Sequence, residues 1–428
     1  MTTLLVFLIS LFMFIFIGVP IFISLGLSSL VIWMWTFGTL EPAILMQKML
    51  IGIDSFPLMA IPFFMLAGEL MNSGGVSRRL VSFASCIIGW VRGGLGFATI
   101  LASMFIAAIL GSASASAAMI GMVMIPAMTE KGYRSSFSSG LIAAAGSVGP
   151  IIPPSIPLIV YGVIAEVSIA KLFVGGYIPG ILMSLAFMVY TYFHARKNNY
   201  LAEKSPNITE IWVSFKDSIL TLLLPVIIMG GILGGIFTPT EAAVIAVVYA
   251  FAVGTFVYRE IQLKNIPHII LRAANSTAMV LMVMSTATLL SWVLTLGRIP
   301  HTVTSILYSV STNPFVFLLL VNLFVIVIGM FLDAVSALTI ITPILLPAAK
   351  SMGIDPLLFG ILLTVNLSIG VLTPPVGLNL YVVSSISGID VMKISKAVIP
   401  FILLIILVIL IMIFFQNTVT YLPNVIIR

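Results

Sequence analysis

The sequence predicts an all-α polytopic membrane protein built as two inverted-topology repeats, each with a re-entrant helical hairpin and a broken helix. Three observations carry this. Across 428 residues, 61% are hydrophobic and only 7% charged, with mean hydropathy +1.26; soluble domains carry about 25% charged residues. Windows of 18 or more nearly uncharged apolar residues recur, the length a helix needs to cross a bilayer. Finally, two apolar regions are interrupted by glycine and proline: Gly146-Ser147-Val148-Gly149-Pro150-Ile151-Ile152-Pro153-Pro154-Ser155-Ile156-Pro157, and Ser368-Ile369-Gly370-Val371-Leu372-Thr373-Pro374-Pro375-Val376-Gly377-Leu378-Asn379. Proline lacks an N–H and clashes with the preceding turn, so neither stretch continues a helix. Unpaired backbone costs several kcal/mol in hydrocarbon and survives only inside protein or beside a polar cavity.

In chain order, Met1-Thr2-Thr3 has no basic region ahead of its apolar run, so it reads as a first membrane helix and not a signal peptide. Scaffold helices are expected within 1–72, at about 3–18, 20–37 and 45–72, the first two parted by Gly18-Val19-Pro20. Residues 76–91 begin with Arg78 and Arg79 and suit an interfacial or arm helix. Neither flank of Gly111-Ser112-Ala113-Ser114-Ala115-Ser116 crosses comfortably alone, which predicts a hairpin over 94–130. A broken helix 136–165 and a helix 169–193 complete the first repeat, 1–193. The polar stretch 194–217, with Arg196, Lys197, Lys204 and Lys216, is the expected linker.

The second repeat, 218–428, is expected to carry scaffold helices within 218–258 and a helix at 273–297. A hairpin at 314–349, a broken helix at 356–386 and a last helix at 391–416 follow. An offset of 221 places Pro126 on Pro347, Gly132 on Gly353, Gly149 on Gly370 and Pro153-Pro154 on Pro374-Pro375. Arg78, Arg79, Arg92, Lys131 and Arg134 mark the base of the first hairpin as cytoplasmic. Following the crossings puts Arg196, Lys197, Arg259, Lys264 and Arg272 on the same side, and the base of the second hairpin outside. Two hairpins entering from opposite faces, each beside a broken helix, are a sequence-level pointer to a transporter site.

At the first tip, Ser112, Ser114 and Ser116 supply hydroxyls, and the break at Gly146–Pro150 frees carbonyls; such oxygens suit sodium. Alternating Gly, Ala and Ser also permit close helix packing. The second tip carries Asp333 and Ser336, and its break carries Gly370, Thr373 and Asn379. An ionisable residue in apolar sequence is a functional candidate by default, so Asp333 either binds a cation or orients the tip. Substrate-facing candidates are Ser116, Ser155 and Asn379. Secondary candidates are Asp54, Glu69, Glu166 and Glu241, the last also fitting a helix cap in Thr238-Pro239-Thr240-Glu241.

The +6 net charge contains no compact Lys/Arg run, so no nucleic-acid partner is indicated. Cys86 is the single cysteine. There is no GxxxxGK[ST] loop for ATP, no HExxH zinc pair and no GxSxG elbow, so an enzyme is not indicated. A TVGYG-type filter is also absent.

Several stretches together are familiar: Phe56-Pro57-Leu58-Met59-Ala60-Ile61-Pro62-Phe63-Phe64 with Gly68-Glu69, and Ile152-Pro153-Pro154-Ser155 leading to Tyr161-Gly162. Gly235-Ile236-Phe237-Thr238-Pro239-Thr240-Glu241-Ala242, Pro343-Ile344-Leu345-Leu346-Pro347 and Thr373-Pro374-Pro375-Val376-Gly377 continue the match. The set resembles the large membrane subunit of tripartite ATP-independent periplasmic (TRAP) transporters, from about Gly18 to Pro400. That resemblance implies an elevator-type fold of the ion-transporter superfamily in a bacterial inner membrane, coupled to sodium and using no other cofactor. Its partners would be a separate small four-helix membrane subunit and a periplasmic substrate-binding protein. The cargo would be a small organic acid such as a C4-dicarboxylate or sialic acid. Carried over by motif, one sodium site falls at Ser112, Ser114, Gly146, Val148 and Pro150. A second falls at Gly329, Asp333, Ser336, Gly370 and Thr373. A stand-alone carboxylate symporter and a channel-like subunit are the alternatives.

Overall fold

The computed structural model describes residues 2–39, 41–200, 202 and 205–427. Met1, Leu40, Leu201, Glu203, Lys204 and Arg428 lie outside the described residues, including the lysine and part of the stretch expected as linker. The described residues contain helices and no strand.

The N-terminal part comprises α1 (Thr2–Phe16), α2 (Ile21–Phe37), α3 (Pro42–Ile51), a 3-10 turn at Phe56–Met59, α4 (Ala60–Ser73) and α5 (Val76–Ile88). The expected break before α2 is present: Gly18 takes φ +88°, and Pro20 occupies the cap of α2. The single helix expected over 45–72 is not formed. Gly52 ends α3 where its Cα lies against Thr288, so close that a Cβ would meet Thr288 Oγ1 at 2.5 Å. Pro57 then restarts the chain without needing an N–H partner.

The first hairpin is α6 (Gly94–Leu110) and α7 (Ala113–Glu130), turned at Gly111-Ser112. The first broken helix is α8 (Ser135–Gly146) and α9 (Ile156–Ala165), followed by α10 (Ile169–Lys197). The linker is shorter than the expected 194–217. Its polar residues continue α10 on one side, and Asn207 begins α11 (Ile208–Leu233) on the other, its N–H donating to Glu210 Oε2 at 3.1 Å. Next come α12 (Pro239–Ala252), which ends in a π turn at Val253–Val257, and α13 (Ile266–Leu296).

The remaining elements are α14 (Ile299–Val310), the second hairpin α15 (Pro314–Gly329) and α16 (Ala334–Ser351), the second broken helix α17 (Pro356–Gly370) and α18 (Leu378–Ser387), and α19 (Val391–Phe414). The final helix expected over 391–416 stops at Phe414, and a further helix, α20 (Asn417–Ile426), folds back onto α10 and α17. Element bounds recur at the offset seen in the sequence: α7 and α16 start at Ala113 and Ala334 and end at Glu130 and Ser351. The same offset pairs α5 with α14, a helix the sequence pattern left unmarked.

Eight helical stretches among the described residues are long and apolar enough to cross a membrane. Membrane association lacks a strong hydrophobic drive between helices, so close packing of small residues does much of the work. In one layer α4 packs on α12 and α13, α2 on α1 and α13, and α11 on α12. Val226, Val248 and Met279 stay exposed on that layer, as lipid-facing side chains should. In the other, the broken helices and hairpins interlock crosswise: α9 lies on α16, and α18 lies on α7. Tyr161 of α9 is fully buried, its ring filling the notch over Gly360 of α17 while its hydroxyl donates to Pro356 O at 2.6 Å.

Gly329 and Gly370 bring the second hairpin and the second broken helix into backbone contact, where a Cβ on Gly370 would overlap the Gly329 carbonyl. Gly370→Ala should therefore lower the unfolding temperature of the purified protein markedly. Gly230→Ala, where a Cβ would have no neighbour within 4 Å, should leave it unchanged or raise it slightly, since alanine is the better helix former. Differential scanning fluorimetry in detergent checks both.

Candidate functional site

Between Gly146 and Ile156 the backbone runs through successive tight turns, with Ser147, Val148, Gly149 and Ile151 N–H groups bonded three residues back. This satisfies donors locally and leaves carbonyl capacity along the turn, since each carbonyl accepts two hydrogen bonds. The hairpin tip lies directly on it. Cβ atoms on Gly149 and Gly111 would stand 2.7 Å from Ser112 O and Pro154 O, and one on Gly146 would stand 2.9 Å from Ala113 O. Ser112, half-buried at the start of α7, is thus brought against Gly149, and its neighbour Ala113 against Gly146, with Ser114 in the first turn of the same helix.

The second tip repeats the arrangement. Gly329 touches Gly370, and Val376 N donates to Met330 O at 3.3 Å across the gap. Asp333 caps α16: its carboxylate accepts from Val335 N at 3.0 Å, from Ser336 N at 3.4 Å and from the Ser336 hydroxyl. Thr373 donates to Ile369 O at 2.8 Å, which leaves its oxygen free to accept. Both Pro-Pro bonds, Pro153-Pro154 and Pro374-Pro375, are cis.

The three substrate-facing candidates differ in what their side chains already do. Ser155 is engaged: it donates to Pro150 O and caps α9 by accepting from Leu158 N at 3.3 Å. Asn379 ties the two halves together, its Nδ2 donating to Ala143 O at 2.9 Å, while its buried Oδ1 has no partner. Ser116 Oγ is likewise buried and unpartnered. Sequence reasoning missed a second polar tie. Asn366 Nδ2 donates to Asn322 O and Oδ1 at 2.9 and 2.7 Å, joining α17 to α15 in the buried core. Two asparagines inside apolar runs were the available signal.

The secondary candidates lie elsewhere. Glu241 forms a capping box with Thr238, accepting from its N–H at 2.8 Å. Glu166 is the exposed left-handed cap of α9, and Asp54 is exposed. Glu69 pairs with Arg272 at 2.9 Å between α4 and α13. No group of three or more His, Cys, Asp or Glu suited to a metal ion occurs among the described residues. A cavity of about 280 Å³ between α1, α14 and the second hairpin is lined only by apolar side chains, Phe7, Leu11, Val303, Leu332, Ile341 and Leu345 among them, and offers an anion nothing.

The family model for the DctM component of tripartite ATP-independent periplasmic transporters matches residues 8–418. The chain belongs to that family. It is 43% identical over 393 residues to the isethionate TRAP transporter permease protein DctMQ of Oleidesulfovibrio alaskensis, covering 92% of this chain and 62% of that protein. The chain therefore spans less than two thirds of that relative's length. It is 39% identical over 378 residues to the sialic acid TRAP transporter large permease protein SiaM of Vibrio cholerae, covering 88% of each. The crystal structure of the Alcanivorax borkumensis YdaH transporter superposes with a TM-score of 0.67 over 94% of this chain and 98% of that one, at 15% identity, a likeness of fold. The chain is a multi-pass TRAP large permease and not an enzyme.

Ser155 and Ser116 give opposite expectations. Ser155→Ala removes a helix cap and should cost about 1 kcal/mol of stability. Ser116→Ala removes a buried hydroxyl without a partner, so the ligand-free protein should be as stable or more so. Thermal unfolding of the two variants side by side checks this.

Proposed function

We propose that the chain is the permease of a sodium-coupled importer that takes a small organic acid anion across the bacterial inner membrane by an elevator movement. The carrying observation is that each hairpin tip seats on its own broken helix through backbone contact, Gly111-Ser112 on Gly149–Ile156 and Gly329-Met330 on Gly370–Val376. At these two places α6, α8, α15 and α17 end while α7, α9, α16 and α18 begin. Helix C-termini favour cations and helix N-termini favour anions, so one architecture serves both ligands.

In this mechanism one sodium ion is held by Ser112, Ser114, Gly146, Val148 and Pro150, and a second by Gly329, Asp333, Ser336, Gly370 and Thr373. Each ion fixes a tip to its break. The anion docks between the tips on hydroxyls, amides and helix N-termini, with Ser116 Oγ and Asn379 Oδ1 as unspent groups. Asn379 Oδ1 accepts, so it meets a hydroxyl or N–H of the anion and not its carboxylate. Only the empty or fully loaded unit crosses, because co-binding stabilises one state by the differential affinity it brings. The first hairpin enters from the cytoplasm and the second from the periplasm, following the basic loops. A periplasmic binding protein delivers the anion, and a separate small membrane subunit completes the permease. The relatives' names, isethionate and sialic acid permeases, support a small acidic solute, with sialic acid and C4-dicarboxylates the classes to try first.

The test is uptake into proteoliposomes holding the chain, its small subunit and its binding protein, with radiolabelled sialic acid, succinate and isethionate as probes. Uptake of one probe should need an inward sodium gradient and all three proteins. Uptake by the chain alone would instead favour a stand-alone symporter, and non-saturating flux a channel. Asp333→Asn keeps a cap acceptor but removes the charge, so the sodium concentration for half-maximal uptake should rise about tenfold or more, the equivalent of 1.4 kcal/mol. An unchanged sodium requirement would remove Asp333 from the ion site.

A further inference from the structure

Helix α5 leads from the scaffold into the first hairpin, and its first turn holds a side chain that the transport cycle above does not use. Arg79 is largely buried, with 16% of its side chain exposed. Its Nη2 lies 2.7 Å from Glu260 Oε1, in the loop after α12, and its Nε lies 3.8 Å from Asp217 Oδ1 in α11. Its Nη1 donates to Gly74 O and Gly75 O at 3.2 and 3.1 Å, the turn between α4 and α5. The guanidinium stacks 3.8 Å over the ring of Tyr258, whose hydroxyl donates to Asp217 O at 3.0 Å. Ser218 of α11 donates to the Arg79 carbonyl at 3.1 Å.

Arg79 thus joins four pieces of chain: the α4–α5 turn, α5 itself, the Asp217–Ser218 stretch within α11 and the exit of α12. Gly75 belongs to the same assembly. It takes φ +72°, and a Cβ there would overlap the Glu260 carboxylate. Planar, multidentate contacts of this kind fix orientation as well as position, and lysine cannot reproduce them.

At its other end α5 meets a glycine turn. Gly93 takes φ +82° and rests on Ala195 of α10, and a Cβ on Gly94 would overlap the Gly89 carbonyl. Among the described residues no ion pair ties this turn down, its one charged residue, Arg92, being exposed, and its glycines accept changes of φ and ψ that other residues resist. The corresponding start of α14 carries Pro300 at the offset position of Arg79, which has no charge to offer.

We infer that Arg79 is a positioning residue that clamps α5 to the scaffold through Glu260, Asp217 and Tyr258, and that the first hairpin turns against this clamped helix at Gly89–Gly94. The inference rests on the moving-unit reading above, and its test separates the two. Spin labels are placed in a Cys86→Ser background of the permease complex in nanodiscs, at Trp212 of α11 with either Ile87 of α5 or Met122 of α7, all solvent- or lipid-exposed positions. Pulsed electron paramagnetic resonance is recorded in sodium chloride and in choline chloride. The Trp212–Met122 pair should show separate distance populations that exchange weight with sodium, while Trp212–Ile87 keeps one unchanged distance. Arg79→Gln should split or broaden the Trp212–Ile87 distance; Arg79→Lys should do so too, and the milder Glu260→Gln should broaden it in a protein that keeps its fold. A Trp212–Ile87 distance that moves together with Trp212–Met122 in the wild type overturns the clamp and leaves the moving unit standing. A single, invariant Trp212–Met122 distance overturns the moving unit and the clamp with it. Arg79 variants with an unaltered Trp212–Ile87 distance overturn the role of Arg79.

Discussion

Everything at the centre of this permease depends on satisfying backbone groups where the membrane provides no water. Two helices are interrupted inside apolar sequence, and each interruption is covered by the tip of a helical hairpin. The local turns after Gly146 and Gly370 bond several of their own N–H groups three or four residues back, and Val376 N reaches across to Met330 O in the hairpin tip. The carbonyls retain spare lone pairs, and it is these that a hard cation can use. Glycine at the contact points follows from the same constraint, since Gly370 and Gly149 sit where a side chain would displace the opposing backbone.

The two seats are mechanically linked. Asn379, at the start of α18 beyond the second break, donates to Ala143 in α8 of the first. Tyr161, beyond the first break, reaches Pro356 at the start of α17. Because α9 lies on α16 and α18 on α7, neither tip can lift without disturbing the half-helix of the other break. In the proposed cycle, coupling between an ion and an anion would need no wire, since both would bias the same packed unit and close-packed interiors deform poorly.

What was legible in the sequence was whatever the backbone enforces. Prolines 150, 153, 154, 374 and 375 interrupt the helix, Pro157 sits in the first turn of α9 where no N–H partner is needed, and Gly111 and Asp333 mark tips by the same kind of local rule. The 221-residue offset was legible because breakers recur even where other identities have drifted. What stayed hidden arises from partners distant in the chain. Gly52 ends α3 because Thr288 lies beside it, and α14 and α20 are short helices whose places depend on the elements they pack against. Arg79 read as a basic, interface-seeking residue; its true surroundings come from residues 217, 258 and 260, brought together by tertiary packing. Ser155 looked like a spare hydroxyl and is used as a cap, while Asn366 was overlooked because its partner, Asn322, lies on another helix.

The central claim, that sodium completes the seat between tip and break, is tested most directly on the purified chain alone. Its thermal unfolding midpoint is measured against increasing sodium chloride, with choline and potassium chloride holding ionic strength constant. A ion that binds only the folded protein stabilises it by RT ln(1 + [L]/Kd), so the midpoint should climb with sodium and not with choline or potassium. Joint replacement of Ser112, Asp333 and Thr373 by alanine should flatten that climb. A midpoint indifferent to which cation is present would contradict the account.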